Sequence, residues 1–523
     1  MSIDALPRWI LIGLIAITFG VSLWGIQKDL PYVPEFDEPI YVEKAVTMAS
    51  SGDLNPHWFG NPASTVIYPL AAIYHGWYVI TYREPLLAAA PNLSARFEAN
   101  PGQFYLLGRY LTVIFMVLSI PLVYQLGRRA FGTPTGLIGS WLFIVIPIVI
   151  FHAQIVRTDL AATFFGLLSL WLCLRLYRRP TLTDQLLTGV SIGLAIATRY
   201  FMVALIPILL IVDGLIWWEW RASPQSSRRS ISASQIGTGL LGLGAGFVLS
   251  TPYFFLDFRT ALQNLTVEAR QTHLGVDGLS PLGNLVWYLT QATASSLTWP
   301  IALLAAIGII LILTRRRFPQ LLLLAFTGIF LAGISVSPLH WQRWLIQILP
   351  LFTLFAAEAV QTIVPKLSGF LNWGKPAQQG LIVALVLLVS VWPCYQLISN
   401  NIRQARPSTR ILAREWILQN LPAGSQIAQE AYTAPLAGTS FTVFESFSLA
   451  TTDYTLDQAY QRGFRYVVVS STMYHRYFAE PDRYAAEVDF YQTLFNQEHL
   501  LQEFEPSATR DGPIIRIYEL RDR

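Results

Sequence analysis

Long apolar runs separated by short polar turns fill the first 400 residues of the chain. A helix needs about 20 mostly apolar residues to cross roughly 30 Å of hydrocarbon, and about eleven stretches approach that length. We predict spans at 8–26, 104–126, 134–151, 159–177, 184–198, 200–218, 236–256, 297–314, 319–337, 344–364 and 379–398. The fifth and sixth are short, and only Arg199 separates them. The pattern therefore predicts an all-α polytopic membrane domain at 1–400.

The largest polar interruption in the first half is the loop at 27–103. It carries two adjacent carboxylates, Asp37 and Glu38, at the start of an amphipathic stretch that Gly52 ends. A second amphipathic stretch runs from Ser64 to about Tyr82. We predict two helices that lie on the membrane surface beside a pair of acids. The alternative is a solvated loop whose acids cap a helix.

The pattern changes at about residue 403, where charges become frequent and spanning runs stop. Alternation of apolar and polar residues predicts strands at 425–430, 465–471 and 514–520. Helices are predicted at 409–420, 455–462 and 483–497. We therefore expect a small α/β domain at 401–523, outside the membrane.

Composition agrees with a membrane protein. Hydrophobic residues make up 53% of the chain and charged residues only 13%, and the mean hydropathy is +0.44, unlike an ordinary soluble domain. The net charge of +4 forms no continuous basic face, so we expect no nucleic-acid partner. The two cysteines, Cys173 and Cys394, lie far apart in apolar runs, so we expect no structural disulfide.

The cations predict the orientation, because cytoplasmic loops are enriched in Lys and Arg. They occupy every second connection: Arg8, Arg128 and Arg129, Arg178 and Arg179, Arg221 to Arg229, Arg315 to Arg317, and Lys366 with Lys375. The N-terminus is then cytoplasmic, with the first segment retained as an anchor. The 27–103 loop, the 152–159 turn, the 257–296 loop, the 340–343 turn and the C-terminal domain lie outside. We expect a multi-pass protein of the plasma (inner) membrane.

The outer turns bring acids and arginines to one side. An enzyme there has no cytoplasmic nucleotide pool, so its activated substrate arrives on a carrier such as a lipid. Sugar transfer from a polyprenyl phosphate needs a base for the acceptor hydroxyl and cations for the leaving phosphate. Asp37 and Asp159 offer the first, and the arginines offer the second. Asp159 also has a purely structural alternative. Its carboxylate could neutralise Arg157 or stabilise the N-terminus of its own helix.

Several motifs together resemble the GT-C superfamily of integral-membrane glycosyltransferases. The resemblance is to the branch of protein O-mannosyltransferases and the lipid A aminoarabinose transferase, and it covers about the first 365 residues. The motifs are the Asp37-Glu38 pair, a following Gly52-Asp53, Tyr68-Pro69-Leu70, QIVRTD ending in Asp159, and HWQRW at 340–344 before ILP. It implies a GT-C-type membrane domain, a polyprenyl-phosphate sugar donor, and an acceptor that is a lipid, a glycan or a protein.

By position, the resemblance implies that Asp37 is the general base, beside Glu38, and that Asp159 is the second acid. It implies a late arginine as phosphate ligand, Arg343 or next Arg270. Together with our reading of the outer turns, the predicted site is Asp37, Glu38 and Asp159 as catalytic residues, Arg343, Arg270, Arg199 and Arg157 for the donor phosphate, and Tyr68, His152 and His340 along the substrate groove. Relatives often have Lys-Pro or His-Pro where this chain has Tyr68-Pro69, so a lysine contact to the phosphate is not implied.

A cofactor is not required by the resemblance, because many relatives work without a metal. The chain has no dense cluster of His and Asp, although His57, His75 and His273 could furnish a divalent metal site. We expect membrane lipids as partners beside the donor and the acceptor.

The favoured hypothesis is an inverting glycosyltransferase that works on the extracytoplasmic side. A transporter or flippase of lipid-linked sugars is the alternative, and a structural or receptor protein is a second one. Transporters often show internal repeats and polar residues near the bilayer midplane. This chain shows no repeat of its halves, and its candidate residues gather at one face.

Overall fold

The computed structural model describes residues 6–32, 37–83, 90, 92–222, 231–452 and 455–521. Most of the predicted cytoplasmic run from Arg221 to Arg229 lies outside the described residues.

Helices dominate the first 404 residues. Those before residue 251 are α1 (Leu6–Leu23), α2 (Glu38–Ser51), α3 (Ser64–Tyr82), α4 (Asn92–Ala99), α5 (Pro101–Ala130), α6 (Thr133–Ile144), α7 (Pro147–Ala153), α8 (Asp159–Arg178), α9 (Leu182–Thr198), α10 (Leu205–Ala222) and α11 (Ala233–Ser250). Those that follow are α12 (Pro252–Leu256), α13 (Phe258–Glu268), α14 (Pro281–Trp287), α15 (Thr293–Leu297), α16 (Trp299–Arg315), α17 (Phe318–Ser335), α18 (Leu349–Phe370) and α19 (Lys375–Gln404). Short 3₁₀ turns precede α10 (Tyr200–Ala204) and α18 (Gln342–Leu345), and a π turn (Tyr288–Ala292) follows α14.

Every predicted span coincides with helix, but fewer than eleven qualify as spans. Within the described ranges, seven helices are long and apolar enough to cross a membrane, or eight if α6 and α7, bent by 68°, form one span. α9 and α16 are apolar but have only 17 residues each. α18 contains Glu358 and Lys366. The predicted count of eleven is therefore higher than length and apolar composition support.

Two of the arginines that predicted the topology meet at one end of the bundle. Arg129 and Arg178 follow α5 and α8 to this end, where Arg178 Nη2 donates to the Arg129 carbonyl at 3.3 Å. The Arg129 guanidinium lies 4.3 Å from the Trp171 ring. α5 has 30 residues, about 45 Å at 1.5 Å per residue, and its other end lies beside α2. The basic end and the Asp37 end of the bundle are thus opposite each other.

The loop at 27–103 forms a packed layer rather than a loose connector. α2 begins with Pro39 in its first turn and ends at Gly52, whose φ of 75° suits glycine. α3 covers the predicted stretch from Ser64 to Tyr82. α2, α3 and the start of α5 share a core that includes Val42, Ala45, Ile67, Leu70 and Tyr74. A large part of both helices faces this core, so neither only lies on a surface as predicted.

α9 packs closely against α11 and ends in an extended residue. A Cβ on Gly189 would lie 2.0 Å from the Gly239 carbonyl oxygen, so only glycine permits this approach. α9 stops at Thr198, and Arg199 is extended at φ −155° and ψ 126°. The break predicted between the fifth and sixth spans is therefore a single extended residue.

The C-terminal domain follows α19, which ends at Gln404, just beyond the predicted boundary. It contains α20 (Thr409–Asn420), α21 (Leu456–Gln461), α22 (Ser471–Phe478) and α23 (Ala485–Gln497), with β1 (Gln426–Glu430), β2 (Thr442–Ser446), β3 (Tyr466–Ser470), β4 (His499–Phe504) and β5 (Ile515–Glu519). The sheet order is β2-β1-β3-β5-β4. β2, β1 and β3 are parallel, and β5 and β4 are antiparallel to their neighbours. The α/β prediction and its three strands are confirmed, whereas β2 and β4, at the sheet edges, were not predicted.

Two polar contacts fix this domain to the segment after α1. Lys28 Nζ donates to Asp511 Oδ2 at 2.9 Å, and Asp29 Oδ1 accepts from the Ser408 backbone N–H at 3.0 Å. Lys28 and Asp29 are each 8% exposed. The domain is therefore anchored to the end of the bundle that carries Asp37.

Glu430, at the end of β1, is fully buried and makes the domain sensitive to pH. Burial raises the pKa of its carboxyl from 4.5 to about 8. Between these values the unfolded state binds fewer protons than the native state, so stability should fall as pH rises through this window. Glu430→Gln should flatten this dependence in melting temperatures measured at about pH 5 and about pH 8. Glu445→Gln, an exposed acid on β2, is the control, and an unchanged slope in Glu430→Gln would contradict the assignment.

Candidate active site

A cavity of about 380 Å³ lies where the predicted outer turns meet. We call it the acid–arginine cavity. It is lined by Asp37, Ile40, Tyr41, Trp58, Asn61, Arg157, Thr158, Asp159, Arg199, Glu268, Arg270, His273, Trp341, Arg343, Tyr432 and Phe447. Four arginines face three carboxylates across it. Six predicted site residues that are far apart in sequence thus share one space.

Asp37 is the more accessible of the two predicted acids. It directly precedes α2, yet its carboxylate makes no capping hydrogen bond to the described part of that helix. Its Oδ2 lies 2.6 Å from Arg157 Nη2 and 3.2 Å from Arg343 Nη1. Its side chain keeps 33% of its surface exposed. The capping alternative is therefore wrong for Asp37, whose carboxylate faces two arginines in the cavity.

Asp159 is held more tightly. It is the first residue of α8, where the helix dipole favours a negative charge, and its side chain is 1% exposed. Arg199 Nη1 donates to its Oδ1, and Arg157 Nε lies 3.5 Å from its Oδ2. Asp159 therefore has both structural roles considered above, because it begins a helix and pairs with an arginine. Its carboxylate also orients Arg157 and Arg199 in the cavity.

The three inner arginines come from breaks in helices. Arg157 lies in the turn between α7 and α8, Arg199 is the extended residue after α9, and Arg343 lies in the 3₁₀ turn before α18. Among the described residues, Nε of Arg199 and Nε of Arg343 are buried without a hydrogen-bond partner. Burial, followed by the nearby Arg157 guanidinium, lowers the pKa of Arg343 to about 10. The lining holds four arginines and three carboxylates, so the cavity has an excess of positive charge and favours an anion.

Glu38 directly follows Asp37 and is the first residue of α2, but it does not line the cavity. It is completely buried and forms a two-armed pair with Arg109, with Nε–Oε1 at 3.0 Å and Nη2–Oε2 at 2.7 Å. Oε1 also accepts from the Val156 backbone N–H at 2.7 Å. Its geometry does not fit the predicted catalytic role. It anchors the residue that precedes Arg157 in the chain.

The three predicted groove residues also lie outside the lining. The Tyr68 hydroxyl donates to the Leu54 carbonyl at 3.0 Å, and His152 Nδ1 lies 2.8 Å from the Ile148 carbonyl. The His340 ring packs 4.6 Å from the Trp287 ring. Each side chain is used for local packing, which a single-sequence motif does not distinguish from a ligand contact.

Other residues of the site were not predicted. Arg109 lies inside the predicted span at 104–126, and a charge in an apolar run is itself a signal for a buried partner. Glu268 is the last residue of α13. Tyr432 and Phe447 come from the C-terminal domain, and no pattern in the sequence pointed to them.

A second space of about 370 Å³, the side cavity, continues from the first and shares Arg199, Arg270 and Arg343. Its other lining residues include Phe201, Leu265, Leu339 and Trp344. A lining that combines charged and apolar groups suits a molecule with a polar head and an apolar tail.

The predicted metal ligands do not come together. In the ranges that the structure describes, no group of three or more His, Cys, Asp or Glu side chains is arranged to hold a metal ion. His57 Nε2 lies 2.9 Å from Asp53 Oδ2, away from the cavity. His273 lines the cavity between aromatic rings, and burial and Arg270 lower the pKa of its imidazole to about 4.

Comparisons with known proteins agree on the fold. The family model of dolichyl-phosphate-mannose-protein mannosyltransferases matches residues 105–234, which include Arg157, Asp159 and Arg199. No curated protein matches the sequence. Crystal structures of ArnT from Cupriavidus metallidurans are similar, one bound to undecaprenyl phosphate (13% identity, 99% of this chain and 98% of that chain, TM-score 0.53) and one in the apo state (14%, 98% and 98%, 0.54).

The archaeal oligosaccharyltransferase AglB from Archaeoglobus fulgidus, in complex with an inhibitory peptide and a dolichol-phosphate, is also similar. It is 14% identical, with a TM-score of 0.50 over 92% of this chain and 71% of that chain. The match to ArnT spans both the helical bundle and the C-terminal domain. The resemblance predicted from the sequence motifs is confirmed, and the chain has the GT-C fold that ArnT and AglB share.

Proposed function

We propose that this chain is a glycosyltransferase that moves a sugar from a polyprenyl-phosphate donor to an acceptor hydroxyl on the extracytoplasmic side of the membrane. The observation that carries the proposal is the acid–arginine cavity, where Asp37 and Asp159 meet Arg157, Arg199, Arg270 and Arg343. ArnT binds undecaprenyl phosphate and AglB a dolichol-phosphate, which supports a lipid-phosphate ligand for a chain of the same fold.

The arginines bind the donor phosphate. Planar guanidinium groups bind phosphate in a two-armed geometry, and four arginines line the cavity. The polyprenyl chain follows the side cavity, past Phe201 and Leu265. The phosphate then lies beside Arg343. From there it can also contact Arg157, and both arginines are paired with Asp37 in the free protein.

Asp37 is the general base. A bound phosphate competes for Arg157 and Arg343, which frees the Asp37 carboxylate for the acceptor hydroxyl. The acceptor oxygen bonds to the anomeric carbon as the carbon–oxygen bond to phosphate breaks; the electron pair leaves with the phosphate, and the hydroxyl proton goes to Asp37. A single displacement of this kind inverts the anomeric centre. Asp159 holds Arg199 and Arg157 in place.

The distribution of charge supports our proposal for the side of the membrane. Arg128, Arg129 and Arg178 lie at the basic end of the bundle, which the enrichment of cations in cytoplasmic loops places in the cytoplasm. The acid–arginine cavity and the C-terminal domain are at the opposite end. We therefore propose an extracytoplasmic reaction in the plasma (inner) membrane.

The test is transfer of label from a panel of radiolabelled polyprenyl-phosphate sugars to acceptors in host membranes. Label that leaves the carrier for a new product, with inverted anomeric configuration, supports the proposal. Retention of configuration would contradict the single displacement. Label that crosses sealed vesicles while still on its carrier would identify a transporter instead.

Arg343→Lys is expected to weaken binding of undecaprenyl phosphate roughly 10- to 100-fold. Lysine keeps the charge but loses the planar fork and the buried Nε donor. Affinity is measured by titration of the purified variant with the lipid phosphate. Arg259→Lys, an exposed arginine of α13 outside the lining, is the matched control. Equal affinities of wild type and Arg343→Lys would remove Arg343 from the phosphate site.

A further inference from the structure

The parallel strands of the C-terminal domain end at the acid–arginine cavity. β1 ends two residues before Tyr432, and β2 ends one residue before Phe447, and both side chains line the cavity. In open α/β sheets, ligands bind outside the carboxyl ends of parallel strands. The membrane domain supplies the charged residues of the cavity, which we call its floor. The carboxyl ends of β1 and β2 supply Tyr432 and Phe447, which we call its wall.

The two rings are in contact with each other and with the charged residues. The Tyr432 and Phe447 ring centroids are 6.5 Å apart at an interplanar angle of 69°. The Phe447 ring lies 6.2 Å from the His273 ring, which lies 5.1 Å from the Trp341 ring. The Arg343 guanidinium lies 4.4 Å from Trp341. A continuous series of ring contacts thus connects the carboxyl ends of β1 and β2 to Arg343, the proposed phosphate ligand.

Both rings are held in position while surface remains available. Phe447 is 39% exposed although it is a large apolar side chain. Tyr432 has a φ of 66°, a left-handed conformation that a residue with a Cβ rarely adopts. Arg410 Nε donates to the Tyr432 carbonyl at 3.2 Å, and the Arg476 guanidinium lies 5.7 Å from its ring. Backbone strain held by surrounding contacts is typical of ligand sites.

We propose that Tyr432 and Phe447 form a platform for a sugar ring in the glycosyl transfer, an inference that rests on the proposed function. The electron-rich faces of aromatic rings attract the polarised C–H groups on one face of a pyranose, while its hydroxyls face the polar groups of the floor. The sugar could be carried by the donor lipid or belong to the acceptor. In either case the C-terminal domain recognises substrate and is not only a support.

The experiment compares three probes by tryptophan fluorescence, since Trp58 and Trp341 line the cavity. The probes are undecaprenyl phosphate, the same lipid bearing a hexose, and the methyl glycoside of that hexose added with undecaprenyl phosphate. Tyr432→Ala and Phe447→Ala should each weaken one sugar probe roughly tenfold and leave the bare lipid unchanged. Weaker binding of the sugar-bearing lipid would show that the rings contact the donor sugar. Weaker binding of the glycoside would show that they contact a sugar of the acceptor.

Matched variants separate the ring from the fold. Tyr432→Phe should bind like wild type, and Tyr460→Ala, on α21 outside the cavity, should do the same. Tyr432→Gly should behave like Tyr432→Ala, because it relaxes the left-handed backbone but lacks the ring. The proposal is overturned if Tyr432→Gly binds the sugar probes like wild type, or if both alanine variants bind both sugar probes like wild type. It is also overturned if the alanine variants bind the bare lipid as weakly as they bind the sugar probes. A wild-type protein that binds sugar but transfers none would contradict the proposed function instead.

Discussion

Replacement of Asp37 by asparagine is expected to lower sugar transfer by roughly 10²- to 10⁴-fold, the range that general base catalysis contributes. Asparagine has nearly the same shape, but its amide does not accept the proton of the acceptor hydroxyl. Binding of undecaprenyl phosphate should be retained or become tighter, because Arg157 and Arg343 lose a carboxylate that competes with the phosphate. Initial rates of transfer and lipid titration measure the two effects separately.

Asp53→Asn is the matched control for this variant. Asp53 lies in the same loop, is 51% exposed, and pairs with His57 rather than with a cavity arginine. It should leave transfer and binding unchanged. Near-normal turnover in Asp37→Asn would mean that another group accepts the proton, and Asp37 would then be only an anchor for arginines.

Loss of one partner from the Glu38–Arg109 pair should destabilise the protein by about 3–5 kcal/mol, because the charge left behind is buried. The Glu38 and Arg109 side chains are 0% and 1% exposed, and Arg109 Nη1 also donates to the carbonyls of Ile26 and Lys28 at 2.8 and 3.0 Å. Arg109→Met should therefore loosen the segment after α1 together with α2. Melting of the purified protein in detergent measures the effect.

The pair of His499 and Glu519 provides the comparison. Their side chains are 53% and 47% exposed, and exposed pairs contribute about 0–1 kcal/mol, so His499→Gln should melt close to wild type. Combining Glu38→Leu with Arg109→Met removes both buried charges and should recover part of the loss. A melting temperature for Arg109→Met equal to that of His499→Gln would contradict a structural role for the buried pair.

Local pattern predicted the elements of this protein well. Apolar runs identified the helical bundle, and alternation identified β1, β3 and β5. Arg199 was recognisable because it interrupts two apolar runs, and Asp159 because it starts one. Such features depend on neighbours in sequence, so a single chain is enough to predict them.

Contacts between distant segments were not predictable in this way. Asp37 and Glu38 are adjacent, yet successive helical residues point about 100° apart, so one faces the cavity and the other faces Arg109. Phe447 reaches His273 only because the sheet places the end of β2 against the loop after α13. The partners of Glu358 in α18 are likewise distant, because Arg315 and Thr135 come from other helices.

The bond between Lys28 and Asp511 joins residues 483 positions apart, and this has a consequence for biosynthesis. At about 5–20 residues per second, a ribosome makes Asp511 roughly 25 to 100 s after Lys28. During that interval the helical bundle can insert and pack, but the wall formed by Tyr432 and Phe447 is not yet closed over Asp37. A nascent chain that still lacks the C-terminal domain should therefore be inserted in the membrane but inactive.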